Sequence, residues 1–444
     1  MKSFAISVAI AITLLLGLAP VSSAAALDDY YLQRFGEIPG SPAAPYGVAQ
    51  SSVEAPLDRC FTPIYHALRH DWPKLAAGTQ QVLAKYVAKP ILSGENVFDS
   101  PGGHFQIHYA TSGVDAPPSA DANGNGIPDW VETTASVFET VYAKEVGELR
   151  YNAAPTTNGQ PYDVYLKNLG GGTVKYLGFT TSSTQLSSIS YSSYITIDND
   201  FSEFSHDQYS AIDYLQITAA HEYHHAIQYG YNYYFDIWYA EATSTWIEDE
   251  VYDSVNQLYE YLPAWFENMQ LPLNAEVDVA TGGGYGRWLF NRYLSEIGGR
   301  DLVRSAWSRL AAKVPSADGA DIPMIPILDE VLGGIGDDLV GFGKRLALRN
   351  WSSHQEDIPL IHPLLTQSGI SPLPFSSFPA QPYSMSFFRF PLNSVLTVDL
   401  SAKPAIVLTG TVSTTQSDIL ILVNNGTEVE SVPPAGNGGG GGGG

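Results

Sequence analysis

Leu215-Gln216-Ile217-Thr218-Ala219-Ala220-His221-Glu222-Tyr223-His224-His225-Ala226-Ile227-Gln228 is the stretch on which the reading of this chain turns. Leu215, Thr218, Ala219, Ala226 and Ile227 place small or apolar side chains at helical spacing, and Gly230 follows as a stop. A helix is therefore predicted over about 207–228. Inside it, His221-Glu222-Tyr223-His224-His225 matches H-E-x-x-H. Helical residues i and i+4 share a face with Cβ atoms about 5–6 Å apart. His221 and His225 can thus reach one zinc ion at about 2.0–2.1 Å. Glu222, one residue along, points beside the metal and not onto it, where its carboxylate can take a proton from water.

A catalytic zinc needs a third protein ligand and one open position. Trp238-Tyr239-Ala240-Glu241-Ala242-Thr243-Ser244-Thr245-Trp246-Ile247-Glu248-Asp249 reads as a second amphipathic helix, with Glu241 in its first turn. Fifteen residues separate His225 from Glu241, enough to end one helix, turn and bring the next alongside. Glu248, Asp249 and Glu250 compete as ligands but lie two turns further along. Oxyanion stabilisation needs a further donor. Tyr285, in Gly283-Gly284-Tyr285-Gly286-Arg287, is the first candidate, with His206 and His224 behind it. In a chain of 27 tyrosines, simple packing is the commoner reason for a tyrosine such as Tyr285. The aromatic run Tyr229 to Tyr234, with Trp238 and Tyr239, suits either a core or a cleft wall.

Asp121, Asn123, Asn125, Gly126, Ile127, Asp129 and Glu132 occupy positions 1, 3, 5, 6, 7, 9 and 12 of a twelve-residue loop. This is the ligand spacing of a calcium loop, and its oxygen donors suit calcium and not zinc. No helix precedes it, because residues 115–120 are Pro-rich. The expected role is structural, pinning a helix that starts near Trp130.

The 444 residues carry a formal net charge of −24. Such a polyanion repels phosphate backbones, which sets nucleic-acid binding aside. Lys2, the apolar run Ala5 to Leu18 and the small residues Ser22 to Ala26 form a signal-peptide pattern over 1–26. That run is too short for a transmembrane helix, so none is expected in the mature chain. Export to the medium or the cell surface follows. Cys60 is the sole cysteine, so no intrachain disulfide forms. It reads as a buried packing residue, or as a thiolate able to block zinc if residues 27–100 are a prosegment. His66 and His70 read as surface or packing residues. Residues 101–365 hold nearly all the chemistry, with strands first and helices after. Residues 376–432 alternate as short strands (Ser384 to Phe390, Val395 to Leu400, Ala405 to Val412, Asp418 to Val423) and suggest a small β-sandwich-like module. Residues 433–444 form a Gly-rich tail.

The pair H-E-x-x-H and Trp238-Tyr239-Ala240-Glu241-Ala242-Thr243-Ser244 resembles the gluzincins, zinc peptidases whose third ligand is the glutamate of the second motif. Ala242 stands where zinc aminopeptidases of that group commonly have glycine. Thr245 stands where thermolysin-like members have an aspartate that orients a zinc histidine, which leaves Thr245 or Ser244 for that role. Residues 101–310 are similar to a group of secreted bacterial metallopeptidases with no assigned substrate. The similarity runs through His104-Phe105-Gln106-Ile107-His108-Tyr109, Asp121 to Glu132 and Thr196-Ile197-Asp198-Asn199-Asp200-Phe201. The resemblance implies an α+β, zincin-like metallopeptidase domain acting on a protein or peptide substrate. The expected activity is peptide-bond hydrolysis by a zinc-activated water with Glu222 as base. An aminopeptidase, or a cell-surface binding module with a non-catalytic zincin domain, are the alternatives.

Overall fold

The computed structural model describes residues 23–39, 59–172, 174–204, 208–364, 370–372, 381–391, 406–413, 418–424 and 426. The signal-peptide pattern before Ser23, His206, the strand expected at Val395 to Leu400 and the glycine tail lie outside them. The chain is mixed α+β. A five-stranded sheet has the order β1-β2-β3-β5-β4, from Asn96–Asp99, Phe105–Tyr109, Tyr162–Lys167, Tyr191–Asp198 and Gly178–Gln185 respectively. The central strands β2, β3 and β5 run parallel, and both edge strands are antiparallel to their neighbours. Because β1 falls within residues 27–100, the expected boundary at 100 runs through the sheet.

Strand alternation gives this sheet two apolar faces. Phe105, Ile107, Val164, Leu166, Ile195 and Ile197 point into the main core. Helix α4 (Asp129–Tyr142) and helix α5 (Ala211–Tyr231) pack on that side. Tyr165, Phe179 and Tyr194 point the other way, into a second cluster built from the N-terminal helices α1 (Ser23–Arg34), α2 (Thr62–Asp71) and α3 (Ala77–Val87). Helices α1, α2 and α3 are thus a covering layer of the sheet.

Helix α5 starts at Ala211, four residues later than expected. Ser210 forms a capping box with Asp213: its hydroxyl accepts from the Asp213 N–H, and the Asp213 carboxylate accepts from the Ser210 N–H at 2.8 Å. Such a cap contributes about 0.5–2 kcal/mol. The chain then turns within five residues into α6 (Ile237–Val251), which packs along α5. Helices α7 (Leu262–Glu267), α8 (Trp288–Gly298), α9 (Arg300–Leu310), α10 (Met324–Leu332), α11 (Ile335–Leu348) and α12 (Ile358–Leu364) complete the helical part. No described helix is long and apolar enough to cross a membrane.

The C-terminal strands depart from the expected sandwich. Among the described residues, β6 (Ile370–Pro372), β7 (Met385–Phe390), β8 (Ile406–Ser413) and β9 (Asp418–Asn424) make one sheet of order β6-β7-β9-β8. Its second layer is helical: α11 lies against β8 and β9, and Phe387, Ile419 and Ile421 join the main core. Two facing sheets and one sheet against a helix present the same period-2 pattern in sequence, so the pattern could not separate them.

The end of α6 is held by charge. His354 Nε2 lies 3.6 Å from Asp249 and 3.7 Å from Glu250, and its Nδ1 meets Asp253. Burial by itself would discharge this imidazole, but Glu250, Asp249 and Asp253 reverse that and hold its pKa at about 9. A histidine raised in the fold adds stability that is complete below its unfolded value of 6.5 and is lost as pH rises to about 9. Burial also pushes Asp249 up to about 7, so its ionisation adds cost with the same sign. Melting temperature is expected to fall between about pH 6 and pH 9.5, by the equivalent of about 1–2 kcal/mol relative to a His354→Gln variant. Parallel pH curves for the two proteins would reject this account.

Candidate metal centre

Helix α5 presents His221 and His225 toward α6, where Glu241 sits one turn from the helix start. The two imidazole Nε2 atoms are 3.1 Å apart. Glu241 Oε2 is 3.2 Å from His221 Nε2, and Glu241 Oε1 is 3.1 Å from His225 Nε2. All three residues are buried. Bond lengths of about 2.0–2.1 Å give a tetrahedral site edges of about 3.3 Å, and these three donors are spaced accordingly. They form one group that could hold a metal ion, together with the buried Cys60. Burial alone would raise the Glu241 pKa; the two imidazoles overcome that and bring it down to about 2. Burial likewise opposes charge on His221, and Glu241 with Glu248 holds it well above the ordinary histidine range. The cluster is thus arranged around shared positive charge, which a cation would supply in place of a proton.

The loop Gly282-Gly283-Gly284 approaches α6 closely. Gly284 has φ +68°, and a Cβ there would stand 2.8 Å from Val277 and 3.3 Å from the Glu241 Cβ. Glycine is therefore required where the loop turns to deliver Tyr285. The Tyr285 ring stacks on Tyr261 and lies 6.3 Å from the His221 ring, and both tyrosines line the same small cavity as Glu222.

Glu222 is 1% exposed. Its Oε2 accepts from Thr180 Oγ1 at 2.7 Å and from Thr62 Oγ1 at 3.0 Å. Thr180 comes from β4, a Ser/Thr-rich strand that the sequence pattern did not reveal. Its polar side chains gave no apolar alternation, yet Gly178 to Ser182 are buried between α2 and α5. Gly178 permits that approach: a Cβ there would lie 2.9 Å from Thr218 and 3.2 Å from Glu222 Cγ.

Of the two residues expected to orient a histidine, Ser244 reaches one and Thr245 does not, and the closer partners are others. Glu248, two turns beyond Glu241, holds His221 Nδ1 at 2.7 Å. It is not a competing ligand, and Thr245 has no hydrogen bond at its hydroxyl. Gln228 Oε1 holds His225 Nδ1 at 2.7 Å, with Ser244 Oγ 3.3 Å away. The seven-residue interval from Glu241 to Glu248 returns to one helix face after two turns, the signal that could have found it. His224 turns instead to the buried Glu145, 2.8 Å away. The aromatic run is core: Tyr229, Tyr231, Tyr233, Trp238 and Tyr239 are all buried. His66 and His70 pack as expected, His66 stacked on Phe235 and His70 on Tyr233, and both Nε2 atoms also lie 3.3 Å from Asp321.

The loop at 121–132 draws its side chains inward. Asn123 and Asn125 donate to Glu132 at 3.0 and 2.8 Å, and Asp121 accepts from the Gly124 and Gly126 N–H groups, both at 2.8 Å. Ile127 donates its N–H to Asn125. Asp129 accepts from the Ala122 N–H and opens α4. The donors are oxygen throughout and solvent-accessible, and no helix precedes the loop.

Replacing Glu248 with Gln is expected to weaken divalent-metal binding about 10–100-fold by equilibrium dialysis. Unchanged affinity would remove Glu248 from the site. No protein-family model matches this chain, and no curated protein matches it.

Proposed function

We propose that the chain is an exported zinc metallopeptidase of the gluzincin type, with a zincin-like catalytic domain. The observation that carries this reading is the convergence of His221, His225 and Glu241 at 3.1–3.2 Å with Glu222 beside them. Two imidazoles and one carboxylate suit zinc and leave one position for chemistry. Zinc held there supplies Lewis acidity toward a carbonyl and acidifies water. Glu222, placed by Thr180, takes the proton of the attacking water and returns it to the leaving amine. Tyr285 offers its hydroxyl to the oxygen that gains charge. Glu248 and Gln228 fix the imidazoles so that both Nε2 atoms face inward.

The purified chain is expected to hold one zinc at this centre, and a Glu222→Gln variant to hold it equally. Casein or peptide turnover, measured also in Cys60→Ser because Cys60 abuts the centre, should drop about 10²–10⁴-fold on adding Glu222→Gln. Equal turnover with and without Glu222 would refute the mechanism. The loop at 121–132 is proposed as a structural calcium site using Asp121, Asn123, Asn125, Ile127, Asp129 and Glu132. Calcium should raise the melting temperature and Glu132→Ala should abolish that rise; a melting curve indifferent to calcium would reject the site.

A further inference from the structure

Arg59 to Thr62 lie directly across the candidate centre. Cys60 forms a parallel β-bridge with Gly178 of the edge strand β4. The Phe61 N–H donates to Gly178 O at 3.0 Å, and the Leu177 N–H donates to Arg59 O at 2.9 Å. The Thr62 hydroxyl accepts from the Thr180 N–H at 2.8 Å while it donates to the Glu222 carboxylate. Tyr285 donates its hydroxyl to the Cys60 carbonyl at 3.3 Å. Arg59 pairs with Glu260 and lies over the Tyr261 ring, 5.1 Å from its centroid. The base and the carbonyl donor assigned above are therefore already engaged by this segment, as is the edge of β4.

The thiol completes the picture. Cys60 Sγ is 3.5 Å from His225 Nε2, and the donor atoms of Cys60, His221, His225 and Glu241 all lie within 4.8 Å of one another. A metal–sulfur distance of about 2.3 Å beside a metal–nitrogen distance of about 2.0–2.1 Å gives a tetrahedral S–N edge of about 3.5 Å.

Building on the zinc-site reading above, we infer that Arg59-Cys60-Phe61-Thr62 is a built-in inhibitory strand, seated in the peptide groove with Cys60 as the fourth metal ligand. Coordination costs the thiol its proton, which passes to water; release returns a proton and frees the fourth position. While the sulfur is bound there is no open position for an attacking water, so the chain is latent. The groove it reveals takes an extended peptide backbone between β4 and Tyr285. The attachment is intramolecular, so its effective concentration is high and release must displace the strand from Gly178.

Cobalt loading of the full-length chain tests this without any variant. Bound Co²⁺ should show a near-ultraviolet thiolate-to-cobalt charge-transfer band together with its visible ligand-field bands, and Cys60→Ser should lose only the former. The same variant should raise the initial rate of peptide turnover at least about tenfold at unchanged metal content. Visible bands without the charge-transfer band in the wild type would overturn the inference and leave the three-ligand site standing. So would equal initial rates in the two proteins. Failure of the chain to load cobalt at all would sink the metal-site reading and this inference together.

Discussion

The contact between the Glu241 carboxylate and the two imidazoles of His221 and His225 is the constraint around which the chain is arranged. Three ionisable groups share one buried spot, and burying them unpaired would cost several kcal/mol each. Their mutual contacts at 3.1–3.2 Å make the burial tolerable. That contact demands close approach of α5 and α6, across which Gln228 donates its side-chain amide to the Ala240 carbonyl at 3.1 Å. It also demands fixed imidazole orientation, which Glu248 and Gln228 impose from the far side of each ring.

The sheet supplies what two helices alone would lack. Its antiparallel edge strand β4 brings Thr180 to Glu222 and Gly178 close against α5, and the opposite face is closed by α1, α2 and α3. Residues 27–100 therefore have two roles at once. They cover apolar side chains such as Phe179 and Tyr194, and they carry Cys60 to the centre. Removing the whole region would expose a face of the sheet, and Phe61 ties the segment beside Cys60 to that layer by packing on Phe35, Tyr65 and Tyr176.

The core of the site was legible in sequence because it is periodic. An i, i+4 histidine pair and a glutamate early in the next helix are local facts of helix geometry, and the three residues do meet. The mixed α+β class and the helices α4, α5 and α6 were also legible from sequence. Strand β4 did not, because a buried strand of Ser and Thr lacks the apolar alternation that marks one. Nor did the form of the C-terminal sheet, since alternation shows that one face is covered and not what covers it.

What the sequence by itself determined is therefore the local chemistry: which residues lie on one helix face, and where oxygen donors recur around a turn. Only the tertiary structure decided the long-range partners. Glu248 is 27 residues from His221, Thr180 is 42 from Glu222, and Cys60 is 165 from His225. Nothing local constrains those separations. They are set when α6 returns along α5, when β4 pairs antiparallel to β5, and when the segment before α2 bridges to Gly178.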